Sequence, residues 1–174
     1  MECIKAFGAG LVCKGFQYEV GKTYTMPRSE VKLCRSGFHA ANGTDPSLTL
    51  DYYQLTQTTE YCLVDINVID SYGDKVVGDK IKILRKLSLD EVIELDETGR
   101  WCTYLARDVE GADIKKLQAA VINKDETGEL CLYFAEYVEG ADIKKLQAAV
   151  AGKDKNNWWV KRLLSISVKE LQNE

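Results

Sequence analysis

Nucleophilic or metal chemistry in this chain would have to be built around a single histidine, His39, and six cysteines. Cys13, Cys34 and Cys62 are the side chains that could join His39 in a zinc site, which needs four converging donors. None of them belongs to a Cys-x-x-Cys pair, the spacing by which one turn supplies two ligands, so no metal is expected. Nucleophilic catalysis would require a Cys or Ser beside His39 and an acid to orient the ring. Cys34 lies nearby in the sequence, but the carboxylates are abundant and unpatterned. Val20-Gly21-Lys22-Thr23 has the ending of a phosphate-binding loop. That loop places four residues between its glycines, whereas Gly15 and Gly21 enclose five, all strand formers too bulky to cradle phosphate. These residues predict a protein that is not an enzyme and carries no cofactor. The rival reading is a small nucleotide-acting enzyme, which would need a pocket containing His39, neighbouring aromatic rings and perturbed titratable groups.

A second set of residues could work by contact. Val109–Val121, VEGADIKKLQAAV, returns unchanged as Val138–Val150, an offset of 29 positions. Lys115, Lys116, Lys144 and Lys145 therefore form a repeated basic rung, either a solvated face or a surface offered to an acidic partner. Trp158 and Trp159 are adjacent, so on a helix one packs and the other is partly exposed. Trp158, with Lys161 and Arg162, is the expected binding anchor, since exposed Trp and Arg dominate interface energetics. Lys80, Lys82, Arg85 and Lys86 make the densest basic strip, on an expected strand. The net charge of −4 disfavours a general nucleic-acid binder, which needs excess cations against phosphates.

The repeat predicts the elements that carry these side chains. Asp113 is a helix N-cap type, and Ile114, Leu117 and Val121 fall on one apolar stripe. Trp101, Leu105 and Val109 make another stripe, repeated as Leu130, Phe134 and Val138. Gly111 and Gly140 sit where a left-handed residue ends one helix before the next. Each unit is thus helix, glycine turn, helix. Trp159–Leu164 continues the series with a third leading helix, and Ser167–Gln172 with a degenerate trailing one opened by a Ser167/Glu170 capping box. Ser88 and Glu91 form a similar box that opens a lone helix upstream. Such units bury their apolar sides only by stacking.

Residues 1–87 have a different texture. Ile4–Phe7, Phe16–Val20, Lys22–Met26, Val31–Cys34, Tyr61–Ile69 and Lys80–Leu87 read as strands, with a bend at Gly21 and a short helix opened by Asp45-Pro46. Asp70–Asp79 reads as a loop. The expected fold class is α+β: a small antiparallel-sheet domain over residues 1–87, then an array of helical hairpins over 88–174. Apolar content of 45% and charged content of 29% are ordinary for a globular protein. Neither a signal pattern nor a membrane-length apolar run is evident, so a cytoplasmic protein with free thiols is expected.

The stretch Lys14–Tyr24 (KGFQYEVGKTY), then Leu33-Cys34, Ser36–Ala40 (SGFHA), Leu50–Tyr53 and Lys80–Ile83, resembles a family of uncharacterised phage and prophage proteins. Its members carry this domain ahead of repetitive sequence, and the GADI-x-x-LQ-x-AV repeat is similar to repeats of phage-encoded proteins. The family often has Cys after His-Ala, where this chain has Ala41. The resemblance implies a viral or mobile-element origin and supplies no activity. It directs the expected partner to a host protein, such as a defence nuclease or its ribonucleoprotein, inhibited in the manner of an anti-CRISPR. A third possibility is an RNA- or DNA-binding accessory protein using Lys80–Lys86 and the repeat lysines.

Overall fold

The structure, a computed structural model, describes residues 1–166. The chain divides into two compact units, Met1–Leu95 and Asp96–Glu174. The fold is α+β, with an antiparallel sheet followed by six helices among the described residues.

Strands of the first unit run β1 (Glu2–Phe7), β2 (Val12–Cys13), β3 (Phe16–Gln17), β4 (Thr23–Thr25), β5 (Phe38–Ala41), β6 (Glu60–Tyr72) and β7 (Lys75–Lys86). β6 and β7 form a long hairpin; β1 adds to β6, while β4 and β5 add to β7, all antiparallel. β2 and β3 make a separate ribbon. Cys62, Val64 and Ile66 face Ile81 and Ile83 in the core, as their alternation predicts. Val68, the next residue of that alternation, is exposed, because a register shift between Asn67 and Val68 breaks it. Asp70–Asp79, expected as a loop, is the end of the hairpin with its turn at Gly73-Asp74. Val76 and Val77 are buried there because β5 pairs with them. Val31–Cys34 is not a strand. A 3-10 turn at Arg28–Glu30 precedes it, and Lys32 forms only an isolated bridge to Ser36. Pro46 does open a short 3-10 helix, capped by Asp45, which accepts from Ser47 N at 2.8 Å.

The sheet curls until β1 and β5 meet. Ile4 N donates to Gly43 O at 2.8 Å, and Lys5 Nζ donates to His39 O at 2.7 Å. Helix α1 (Leu89–Leu95) follows β7 and is opened by the expected capping box, with Ser88 N donating to Glu91 Oε2 at 2.8 Å. An ion pair from Arg85 of β7 to Glu91 ties the helix to the sheet. The first unit therefore ends after α1, beyond the boundary expected at Ser88.

The second unit contains α2 (Arg100–Asp108), α3 (Ile114–Lys124), α4 (Glu129–Tyr137), α5 (Ile143–Val150) and α6 (Trp158–Ser165). Asp113 and Asp142 cap α3 and α5, accepting from Lys116 N and Lys145 N at 3.1 Å each. Gly111 and Gly140 adopt φ of 78° and 79° between paired helices. The hairpins touch in series. Gln118 of α3 donates to Asp142 O at 3.0 Å and accepts from Asp142 N at 2.8 Å, joining one unit to the cap of the next. Gln147, its copy, donates to Leu163 O and Ile166 O. The trailing helix expected over Ser167–Gln172 lies outside the described residues.

The leading helices α2 and α4 each start from a buried aspartate. Asp125 Oδ1 accepts from Thr127 N and Gly128 N at 3.0 and 2.8 Å, and Oδ2 from Cys131 N at 2.7 Å. Asp96 binds Gly99 N and Cys102 N in the same way, at 3.1 and 2.9 Å. Lys124 and Lys153, one repeat apart, donate to the carbonyls of Asp96 and Asp125. Gly128 has φ of 89°, and a Cβ there would stand 3.1 Å from Val160 Cγ2. The glycine therefore serves a left-handed backbone and a close approach to α6 at once.

Candidate functional site

Where β1 and β5 meet, the first unit opens into a cleft of roughly 390 Å³. Four cations line it: Lys5, Lys14, Arg35 and Lys75. The rings of Phe16, Tyr18, Tyr52 and Tyr53 form much of the remaining wall, with His39 and the thiols of Cys13 and Cys34. Among the described residues no carboxylate lines the cleft.

Lys5 departs most from expectation. It shares the inward face of β1 with Cys3 and Phe7, both fully buried, and is itself only 7% exposed. Its ammonium donates to His39 O and lies 3.7 Å from Cys13 Sγ. Burial pulls its pKa below the usual lysine value, and Lys14 adds to this, while Cys13 opposes it. Lys75 Nζ lies 4.4 Å from the centroid of the Tyr52 ring, a cation–π contact. Burial pushes the Tyr18 phenol up to about 12.

His39 is in the cleft, but both of its ring nitrogens are engaged. Cys34 N donates to Nε2 at 3.0 Å, and Nδ1 lies 3.1 Å from Gly37 O. A carbonyl only accepts, so Nδ1 carries the hydrogen and the ring is neutral. Burial lowers its pKa, and Lys5, Lys14 and Lys75 lower it further, against the Gly37 contact that raises it. The ring pins the Cys34–Gly37 turn and has no lone pair left for proton abstraction or a metal. Among the described residues no group of three His, Cys, Asp or Glu side chains converges as a metal site. All six cysteines are unpaired. Cys102 and Cys131 are fully buried at equivalent repeat positions. Burial, with Asp125 beside it, pushes the Cys131 thiol up to about 12, which makes it inert.

The second unit presents a different surface. Tyr104 of α2 stacks on Tyr133 of α4 with centroids 6.1 Å apart and planes at 10°, and Tyr133 meets Tyr137 at 4.5 Å. The Arg107 guanidinium lies 4.4 Å from the Tyr104 centroid and 5.6 Å from that of Tyr133, and donates to the Tyr133 hydroxyl. One repeat beyond Tyr133 comes Arg162 of α6, which pairs with Glu136 at 3.0 Å. The result is a ridge of rings and guanidinium groups across three leading helices. Tyr104 and Tyr133 also wall a groove of roughly 640 Å³ with Arg100 and Leu130.

Of the expected contact residues, Arg162 alone falls on this ridge. Lys115, Lys116, Lys144 and Lys145 are exposed on α3 and α5. Lys145 pairs with its own cap, Asp142, at 3.3 Å. Trp158 is 61% exposed and meets Trp159 edge-on at 4.7 Å; Lys161 is exposed beside it on α6. Two members of the basic strip on β7 are ion-paired, Arg85 to Glu91 and Lys86 to Glu60. Sequence reasoning missed Lys5, Lys14, Arg35 and Lys75 because they come from separate elements that only the curled sheet brings together. Lys5 did carry a signal, a charge inside the apolar strand Cys-Ile-Lys-Ala-Phe. Tyr104 and Tyr133 carried another, as copies at the repeat offset.

Among the described residues no helix is long and apolar enough to cross a membrane. No curated protein and no solved structure matches the chain. A family model does match, over residues 1–95, which is the whole of the first compact unit and more than half of the chain. By that match the chain belongs to the family of a domain of unknown function, DUF7666.

Proposed function

We propose that the protein acts by binding another protein through the leading-helix face of its second unit, without catalysis. The observation that carries this reading is the ridge of Tyr104, Arg107, Tyr133 and Tyr137. Tyr and Arg are the residues that, with Trp, most often supply interface binding energy. Tyr137 is 58% exposed, so the ridge presents ring surface to solvent. Its rings are already held by stacking and by Arg107, and ordering them on binding costs little entropy. The engaged nitrogens of His39 favour binding over the nucleotide-acting enzyme.

The resemblance to phage and prophage proteins directs the choice of partner to a host-cell protein. A defence nuclease or its ribonucleoprotein, held in the manner of an anti-CRISPR, is the form put to test. Affinity purification from a bacterial host lysate, read by mass spectrometry, should capture a partner with the wild-type chain. Tyr133→Ala combined with Tyr137→Ala should lose it while the circular dichroism spectrum stays unchanged. Capture undiminished by that pair, but lost on charge reversal of Lys116 and Lys145 or on Trp158→Ala, would move the binding face to the trailing helices or to the start of α6.

A further inference from the structure

We propose that the cleft of the first unit binds a small organic phosphate of nucleotide size, held by Lys5, Lys14, Arg35 and Lys75. These residues are separate from the ridge of the second unit, so either site can fail without the other.

Lys5 is the first reason. A buried ammonium is costly unless a counter-charge stands beside it. Here its partners are a carbonyl oxygen at 2.7 Å, a thiol at 3.7 Å and the face of the Phe7 ring at 5.1 Å, none of them a full counter-charge. Between Cys3 and Phe7, an apolar side chain would fill the same place without that cost. The second reason is company. Lys14, Arg35 and Lys75 open on the same cleft with no carboxylate among the described residues of its wall, in a chain whose net charge is −4. Like charges gathered in a partly enclosed site repel one another and focus a positive potential that an anion relieves. The third is backbone strain. Leu11, Lys14 and Cys34 are the non-glycine residues with positive φ among those described, and Lys14 and Cys34, at 50° and 61°, belong to this wall. Such strain collects at ligand sites.

Phosphate suits this group of cations better than a single carboxylate does. Arg35 can offer paired donors and the lysines point charges. The volume lies in the range of small-molecule sites. Phe16, 51% exposed, and Tyr53 offer ring surface on which a base can stack. His39, with both nitrogens engaged, holds the Cys34–Gly37 turn in place, so the ligand is bound and not transformed.

Calorimetric titration of the full chain at low salt with AMP, ribose 5-phosphate, inorganic phosphate and adenosine tests the site. AMP should bind more tightly than inorganic phosphate, and adenosine should give no heat. Lys14→Ala and Arg35→Ala, both at exposed positions, should each weaken AMP binding by about tenfold. Lys5→Met should abolish it and leave the melting temperature equal or higher, a combination that a merely structural lysine would not give. Should Lys5→Met fail to fold, the two exposed variants decide. Absence of binding by every phosphate overturns the proposal. So does adenosine matching AMP, AMP no tighter than inorganic phosphate, or unchanged affinity in Lys14→Ala and Arg35→Ala. Binding of a single-stranded RNA oligonucleotide without AMP binding would also overturn it, in favour of a nucleic-acid surface.

Discussion

As the pH falls from about 7 toward 5, the ring of His39 must give up the Cys34 amide hydrogen bond in order to take a proton. Burial first, and then Lys5, Lys14 and Lys75, hold its folded pKa below the ordinary 6.5. The unfolded chain therefore protonates first. Stability should fall as pH drops below about 6.5 and level off once the lowered folded value is passed. Thermal melts across this range should show that slope in the wild type and a shallower one in His39→Gln. Tyr52 makes a second case: its hydroxyl is buried and has no hydrogen-bond partner. Removing such a group relieves a desolvation cost, so Tyr52→Phe should leave stability unchanged or raise it by about 1 kcal/mol in chemical denaturation. Neither case could be read from residue type, because a histidine in the sequence Gly-Phe-His-Ala looks the same whether its nitrogens are free or engaged.

Helix ends carry the second unit. Asp125 accepts three backbone N–H groups at the start of α4, so Asp125→Ala leaves buried donors unmet and should cost about 3 kcal/mol. Burial acts to raise its pKa, but the bonds from Cys131 and Gly128 outweigh this and hold it below the ordinary 3.8. Its contribution is complete above about that pH and is lost as pH falls through the lowered folded value. The glycines separate two effects. At Gly111 a Cβ would meet nothing within 4 Å, whereas at Gly128 it would meet Val160 at 3.1 Å and Val150 at 3.4 Å. Gly111→Ala should cost about 1–2 kcal/mol for its left-handed backbone alone, and Gly128→Ala measurably more, in parallel urea titrations. The repeat made these elements legible: both Asp caps and both glycine turns fall at the expected residues. The strands were harder to read, because Val68 changes face at a bulge and Val76 and Val77 take their burial from β5, which is distant in sequence.

The family match and the first compact unit end at the same residue. That unit has its own core of Cys3, Phe7, Val64, Ile66, Ile81 and Ile83. Residues 1–95 expressed alone should therefore fold, giving a dispersed amide NMR spectrum. All three tryptophans, Trp101, Trp158 and Trp159, lie beyond that unit, so tryptophan emission reports on the second unit only. Trp101 is 2% exposed and Trp158 61%; acrylamide should quench an accessible fraction that Trp158→Phe removes. What the sequence determined by itself was periodicity: where helices start and stop, that hairpins stack, and that the fold is α+β. These follow from contacts between residues a few positions, or one repeat, apart. What only the tertiary structure decided was convergence. Four cations from separate elements surround one cleft, and the rings of successive helices form one ridge, because the curl of a sheet and the stacking of hairpins depend on every strand and helix packing together.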